Sequence, residues 1–251
     1  MSKIRHTSIA PTRTADHHSG ERIDRHRHDE HQIMYASAGV VEATTERGSW
    51  IAPPQRAVWV PAGEWHEHRF HGATRSHTVG FPRDDAPLDP AEPAVVLVTP
   101  LLRELIISWA DGTLCDAELD RVRAVTYDQL RRATHGSLHV PRPRNPVLVA
   151  ACEVVQADLM IPWTADRLAA EVGVSGRTLS RLFRSELTMS YPQWRTQARL
   201  AHAVRRLAEG HTVTEAARDC GWSSPSAFID VYRRNLGHTP GQGQLRPRAA
   251  G

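Results

Sequence analysis

The chain has 251 residues, enough for two or three domains that each bury a core. Its formal net charge is only +3 with histidine neutral, and the excess is C-terminal: residues 147 to 251 hold thirteen arginines against nine acids, residues 1 to 146 eighteen basic residues against nineteen acids. Three cysteines without metal or redox spacing, and apolar runs no longer than PAVVLV and ELIISWA, argue against a disulfide framework, a signal peptide and a membrane span, so the expectation is a soluble cytoplasmic protein with reduced thiols.

From His31 to about Phe81 the apolar residues come in short bursts broken by Gly and Pro, as in IMYASAGVVEATT and PPQRAVWVPAGEW. That is strand-and-turn chemistry, and it predicts a small antiparallel barrel. Trp50, Trp59 and Trp65 can line a pocket there, although aromatic residues in strands more often fill a core. His26, His28, His31, His66, His68 and His71 fall in or beside the same segment. In extended chain His26 and His28 share one side, as do His66 and His68, which suits metal ligation.

After FPRDDAPLDPAEP, apolar residues recur at three and four, which predicts helices over about 100 to 134. Leu101, Leu105, Leu119, Val122 and Leu130 can supply a buried stripe on these helices. PRPRNP, residues 141 to 146, stiffens and extends the chain and marks a boundary. The expected division is therefore 1–99, a 100–140 helical segment, a 141–146 linker and an all-helical 147–251, whose last stretch, GHTPGQGQLRPRAAG, reads as a fraying basic end.

The helical region repeats itself. In TADRLAAEVGVSGRTLSRLFRSEL, Leu168 and Val172 share a face and Gly173 supplies a turn. Ser175 caps a second helix that carries Leu179, Leu182 and Phe183 inward and turns Arg177, Thr178, Ser180, Arg181 and Arg184 outward. Small Ala169 lets the two helices approach. TVTEAARDCGWSSPSAFIDVYRRNLG repeats the plan with Ala217, Gly221, Phe228, Val231 and Tyr232, a turn one residue longer, and Ser224-Pro225 as a helix start. Between the units, residues 191 to 210 predict one continuous helix of ~25 to 30 Å at ~1.5 Å per residue, comparable to the ~34 Å between successive major-groove faces of B-DNA. Outward arginine and hydroxyl side chains are the types that chelate guanine or bond phosphate. Between Arg177 and Arg234 lie ten arginines and five acids, which suits a phosphate-bearing partner, although a solvated helical face has the same composition.

LSRLF, the GWSSPSAF run and GHTP, in this order around the connecting helix, resemble the DNA-binding domain of AraC/XylS-family transcription regulators over residues 162 to 240. The resemblance implies base-facing positions at Arg177, Ser180 and Arg181, with Arg184 nearer the backbone, and a second set at Ser226, Ile229 and Asp230, with Arg233 near phosphate. Asp230 departs from the basic or polar residue often found there. A carboxylate beside phosphates is repelled unless it accepts from cytosine N4, so the first unit is expected to dominate affinity.

His26-x-His28, Gln32, Gly39 and Pro61-Ala-Gly63-Glu-Trp-His66 are similar to the two motifs of cupin barrels, with Gln32 where a glutamate ligand would stand. The resemblance implies a divalent-metal set of His26, His28, Gln32 and His66, weakened by the neutral amide; a metal-free sensor barrel is the alternative. Many AraC-type regulators carry such a domain. The fold class expected is thus α+β: an N-terminal antiparallel cupin-like β-barrel, a helical middle, and a C-terminal all-α domain with two helix-turn-helix units on a linker helix. The function implied is a non-enzymatic, sequence-specific transcription regulator, an activator or a repressor, that pairs as a homodimer through helices 100 to 134 or packs them on its own barrel, with double-stranded DNA and a small-molecule effector or metal as partners, RNA polymerase as a further candidate partner, and no membrane. The rival is a metal-dependent cupin enzyme fused to a DNA-binding module, for which Glu64 and Glu67 are the nearby acids.

Overall fold

A computed structural model describes residues 4–88, 92–136 and 138–243; the basic end of the chain beyond 243 lies outside the described residues. Among the described residues ten strands precede or interrupt the helices: β1 (Arg5–Thr7), β2 (Arg13–His17), β3 (Arg22–His28), β4 (His31–Thr45), β5 (Gly48–Ala52), β6 (Arg56–Val60), β7 (His66–Phe81), β8 (Ala94–Leu97), and, after two helices, β9 (His135–Gly136) and β10 (His139–Pro141). The two intervening helices are α1 (Pro100–Ala110) and α2 (Asp116–Arg131). The remainder is helical: α3 (Pro146–Ala157), α4 (Ala165–Glu171), α5 (Gly176–Leu187), α6 (Tyr191–Ala208), α7 (Val213–Asp219), α8 (Pro225–Leu236) and the single turn α9 (Pro240–Gly243).

The strands form one sheet in the order β1-β3-β7-β4-β6-β8-β9, with β2 on β7 and β5 bridging β4 and β10. Its ends do not meet, so the sheet is open, not the closed barrel that the alternating pattern predicted. Nor is it wholly antiparallel, because β1 runs parallel to β3. Alternation reports which side chains face a core; it does not report whether the last strand pairs with the first. The long strands β4 and β7 bend through register shifts between Ala36 and Val40, which is how strands of 15 and 16 residues wrap a core on both faces.

On one face Ile33, Tyr35, Trp59 and Phe81 pack against Leu102 and Ile106 of α1 and Tyr127 and Leu130 of α2. On the other, Met34, Val41, Trp50, Val58 and Phe70 form a second cluster. Trp50 and Trp59 are therefore core, as strand tryptophans usually are, while half-buried Trp65 lies beneath the Arg25 guanidinium, 3.9 Å from its ring centroid. Of the stripe expected on α1 and α2, Leu130 is buried against the sheet, Leu101 is exposed at 52%, and Leu105, Leu119 and Val122 are half-exposed. The helices end at Arg131, and β9 and β10 return to pair with β8 and β5 inside the stretch read as helical. Pro141 closes β10 and Pro146 opens α3, so the connector between them is residues 142 to 145, anchored by Arg142 N–H donating to Arg47 O at 2.9 Å.

The third cluster is built on α6, whose Trp194, Leu200, Ala201 and Val204 are almost completely buried. Each large apolar side chain buried this fully contributes roughly 1.5–3 kcal/mol. Val40, Ile51, Leu138 and Val140 of the sheet-rich domain join the same cluster, so the helical domain is packed against the sheet. Among the described residues no helix is long and apolar enough to cross a membrane. Cys115, Cys152 and Cys220 are free thiols, and burial pushes Cys152 and Cys220 up to about 12, far from the reactive thiolate form.

Candidate nucleic-acid interface and histidine cluster

Both helix-turn-helix units are set by local chemistry. Thr164 and Ser175 cap α4 and α5, accepting from the backbone N–H of Arg167 and Thr178. Thr212 and Ser224 do the same for α7 and α8, with Pro225 at the first helical position. Gly173 and Gly221 turn the chain at φ of 71° and 69°, a conformation that side chains with a Cβ resist. Ala169 and Ala217 are buried where the paired helices cross, and Leu179, Phe183, Phe228 and Tyr232 anchor the second helix of each unit.

That anchoring fixes what faces outward. Arg177, Ser180, Arg181 and Arg184 are exposed on α5 and border one open hollow of about 620 Å³. Thr178 is half-buried, and its hydroxyl lies 2.9 Å from Ser175 Oγ, so it belongs to the helix cap. On α8, Ser226, Asp230 and Arg233 are exposed, whereas Ile229 is half-buried against the core. Arg233 Nη2 lies 3.7 Å from Asp230 Oδ1. Among the described residues the three arginines of α5 have no such partner.

The helix α6 spans 18 residues, ~27 Å at ~1.5 Å per residue, and its own arginines point inward to both units. Arg195 donates to Ile161 O at 2.8 Å, just before α4. Arg199 donates to Cys220 O and stacks over Trp222, 3.6 Å from the ring centroid; burial lowers Arg199 to about 10. Arg206 grips Asp219 through Nε at 3.2 Å and Nη2 at 2.9 Å. These arginines, read from the sequence as charge for a phosphate partner, are spent on holding the two units to one brace.

The brace is tied to the sheet in turn. Arg205 of α6 donates to Glu42 of β4 from Nε at 3.0 Å and Nη2 at 2.7 Å, and His71 of β7 donates to the same carboxylate at 3.0 Å. Burial alone would raise Glu42, but the His71 hydrogen bond and the Arg205 guanidinium outweigh it and hold the carboxyl at about 2. Gly72 lies so close that a Cβ there would meet Ala208 O at 2.1 Å. At the far end, Arg56 of β6 donates to Leu236 O, the last residue of α8, at 3.0 Å.

The predicted metal residues converge with one addition. The register pairs His26 with His66, and ring centroids lie 4.2 Å apart for His26 and His66, 4.8 Å for His28 and His66, and 5.0 Å for His66 and His68. Potential ligand atoms of His26, His66 and His68 all lie within 4.8 Å of one another. Gln32 is buried beside them with both amide atoms unpartnered. Burial, followed by the neighbouring imidazoles, pushes His66 well down and His68 to about 3, so both rings are neutral near pH 7. A cavity of about 290 Å³ reaches His26, Gln32 and His68. His31 lies apart, stacked on Trp59, and His71 serves the domain interface. Sequence reasoning missed the roles of Glu42, Arg56 and Arg205, for which no local signal exists, and left His68 out of the metal set, although its spacing from His66 was visible.

Residues 168–246 match the model of a helix-turn-helix domain, and residues 8–102 that of an AraC-like ligand binding domain. The HTH-type transcriptional regulator NimR of Escherichia coli (strain K12) is 32% identical over 221 residues, 86% of this chain and 80% of NimR. The porin thermoregulatory protein EnvY of the same organism is 31% identical over 129 residues, 50% of this chain and 51% of EnvY. A crystal structure of the DNA-binding domain of AdpA, a global transcriptional factor, in complex with a target DNA covers 41% of this chain and 97% of that one at 30% identity, with a TM-score of 0.39.

Proposed function

The chain belongs to the AraC family of DNA-binding transcription regulators with an N-terminal ligand-binding domain, and from that premise we propose how it reads DNA and what it senses. Arg177, Ser180 and Arg181 of α5 contact base edges, and Arg184 contacts the adjacent phosphates. Ser226, Ile229 and Asp230 of α8 occupy the next major-groove face with Arg233 on the backbone, Thr178 contributing through its cap. The observation that carries this reading is the row of exposed arginines, without a partner among the described residues, on a helix whose opposite face is locked into the core. Bidentate arginine contacts to guanine give discrimination that a mobile charge would not.

The sheet-rich domain takes an effector, a small molecule or a metal ion, and its occupancy changes how the two heads are presented. The family members found by similarity are regulators, and we read this chain likewise as a non-catalytic one. We further infer a homodimer that activates through RNA polymerase, for which the outward residues Leu101, Leu105, Leu119 and Val122 supply an apolar surface on α1 and α2.

The test is a duplex selected in vitro from a random pool, bound by wild type and by Arg181→Ala over a range of salt. Affinity should fall steeply as salt rises, as counterions released by phosphate contacts require. Arg181→Ala should lose preference at one base pair. Equal loss on unselected DNA would refute base reading by this residue.

A further inference from the structure

We propose that His26, His28, His66 and His68 hold one first-row transition-metal ion in an all-imidazole shell, with Gln32 beside that shell and not in it. Histidines elsewhere in the same domain are bonded differently. His17, His31, His71 and His77 are also buried, and each has both ring nitrogens within reach of a partner: Glu21 and Ser76 for His17, Ala62 N–H and Arg83 O for His31, Glu42 and Glu209 for His71, Thr14 and Ser37 for His77. A buried histidine kept for packing is usually satisfied in this way; half-buried His139, stacked on Trp50 with a single unpartnered Nε2 among the described residues, stands alone and away from the cluster's strands.

Three of the four clustered rings, His28, His66 and His68, are not. Nδ1 of His26, His28 and His66 faces the backbone carbonyl of Asp24, Glu30 and Glu64 at 2.8, 2.5 and 3.0 Å. A carbonyl only accepts, so Nδ1 carries the proton and Nε2 is left with a lone pair. Among the described residues, Nε2 of His28 and of His66, and both ring nitrogens of His68, are buried with no hydrogen-bond partner. Imidazoles whose outer N–H is pinned to a carbonyl and whose other nitrogen is aimed at a shared buried space are oriented as metal ligands are. One cation between them satisfies all the orphaned lone pairs together.

The donor set selects the ion. With no carboxylate among the four, calcium and magnesium are disfavoured, and imidazole nitrogen suits zinc, cobalt, nickel or copper. Four nitrogens complete a tetrahedral shell, so the weaker amide oxygen of Gln32 is not needed. Bonds of ~2.0 Å require the nitrogens of His26, His66 and His68, now within 4.8 Å of one another, and the His28 ring, 4.8 Å from that of His66, to draw in by side-chain rotation on the paired strands β3 and β7. His68 and Glu42 border the same cavity of about 170 Å³, and Glu42 holds Arg205 of α6. Any effect of the ion on DNA rests on the proposed sensing role of this domain; the site itself does not.

The experiment uses metal-stripped full-length protein, titrated with Zn(II) by calorimetry and with Co(II) by visible absorption, with thermal unfolding followed in parallel. One equivalent per chain, the intense absorption of tetrahedral Co(II) and a raised unfolding temperature are expected. His66→Ala and His68→Ala should each weaken binding by roughly 100-fold or more, and Gln32→Ala by much less. Should His66→Ala not fold, His26→Gln replaces it. No saturable binding by folded wild type at micromolar metal, or binding untouched in the histidine variants, overturns the site. A loss in Gln32→Ala equal to that in His68→Ala overturns the all-imidazole shell. Affinity for the selected duplex with and without Zn(II) is measured separately: Zn(II) that binds without changing it sinks the sensing role and leaves the site standing.

Discussion

The two reading heads share one plan and differ in what holds them. Among the described residues no hydrogen bond or ion pair links α5 to the sheet; its Glu186 accepts instead from the backbone N–H groups of Arg144 and Asn145, where α3 begins. The second head is tethered, because Arg56 of the sheet binds the C-terminal carbonyl of α8. Charge divides along the same line: α5 offers three unpaired arginines, whereas on α8 Asp230 sits beside Arg233. A duplicated motif thus sits in two different settings, one head presenting its arginines to solvent and the other bonded to the sheet.

The largest effect should come from cutting the tie that fixes the brace. Glu42→Gln leaves Arg205 and His71 facing a neutral amide in a buried setting. Removing one partner of a buried pair costs about 3–5 kcal/mol, and Arg205 is 28% exposed, so a loss of about 2–3 kcal/mol in chemical unfolding is expected. The pH dependence has a definite sign. The folded carboxyl is held at about 2 against an ordinary 4.5, so its contribution is complete above 4.5 and disappears as pH falls through 2. The gap between wild type and variant should therefore be widest near neutrality and close on acidification; a gap constant down to pH 2 would remove Glu42 as its source. Hydrogen exchange should rise in α6 and α8 before α5, and uniform loosening would erase the contrast between the heads.

Next in size is Arg181→Ala, expected to cost ~1–3 kcal/mol of specific binding, the value of a lost bidentate base contact. Arg233→Ala should cost less and lower the salt slope by about one unit without altering sequence preference. If Arg233→Ala proves the more damaging, the assignment of grip to the first head is reversed.

The heads were legible in the sequence because everything that shapes them is local. Ser175, Ser224-Pro225, Gly173 and Gly221 act within one turn, and a helix that buries Leu179 and Phe183 must expose Arg177, Ser180, Arg181 and Arg184. The tether was not legible, because Glu42 and Arg205 are 163 residues apart and neither stands out from its neighbours. His68 joined the cluster through the pairing of β3 with β7, a register that spacing within one strand does not contain. The open edge and the short returning strands β9 and β10 have the same origin: they are held by pairing with a distant partner more than by their own residue preferences. Counting arginines also misled, since composition does not say that Arg195, Arg199, Arg205 and Arg206 point inward.

A smaller effect is expected at the tether of the second head. Arg56→Met keeps the apolar stem of a buried side chain and removes only the donor to Leu236 O, so roughly 1 kcal/mol of stability should be lost. The informative readout is footprinting of the selected duplex, where protection at the half-site of α8 should change relative to that of α5. Equal change at both half-sites would mean that Arg56 only supports the fold.

The smallest effect, and the sharpest test of the division, is Asp230→Asn. The exposed carboxylate repels phosphate and partly neutralises Arg233 at 3.7 Å. Exposed charges interact by a few tenths of a kcal/mol up to about 1, so affinity should rise by no more than about fivefold, and most at low salt where screening is weak. A gain on every sequence would mean that Asp230 merely weakens the second head and leaves grip to the first. A loss confined to sites with cytosine at one position would mean that the carboxylate accepts from cytosine N4, and the second head would then be a reader in its own right.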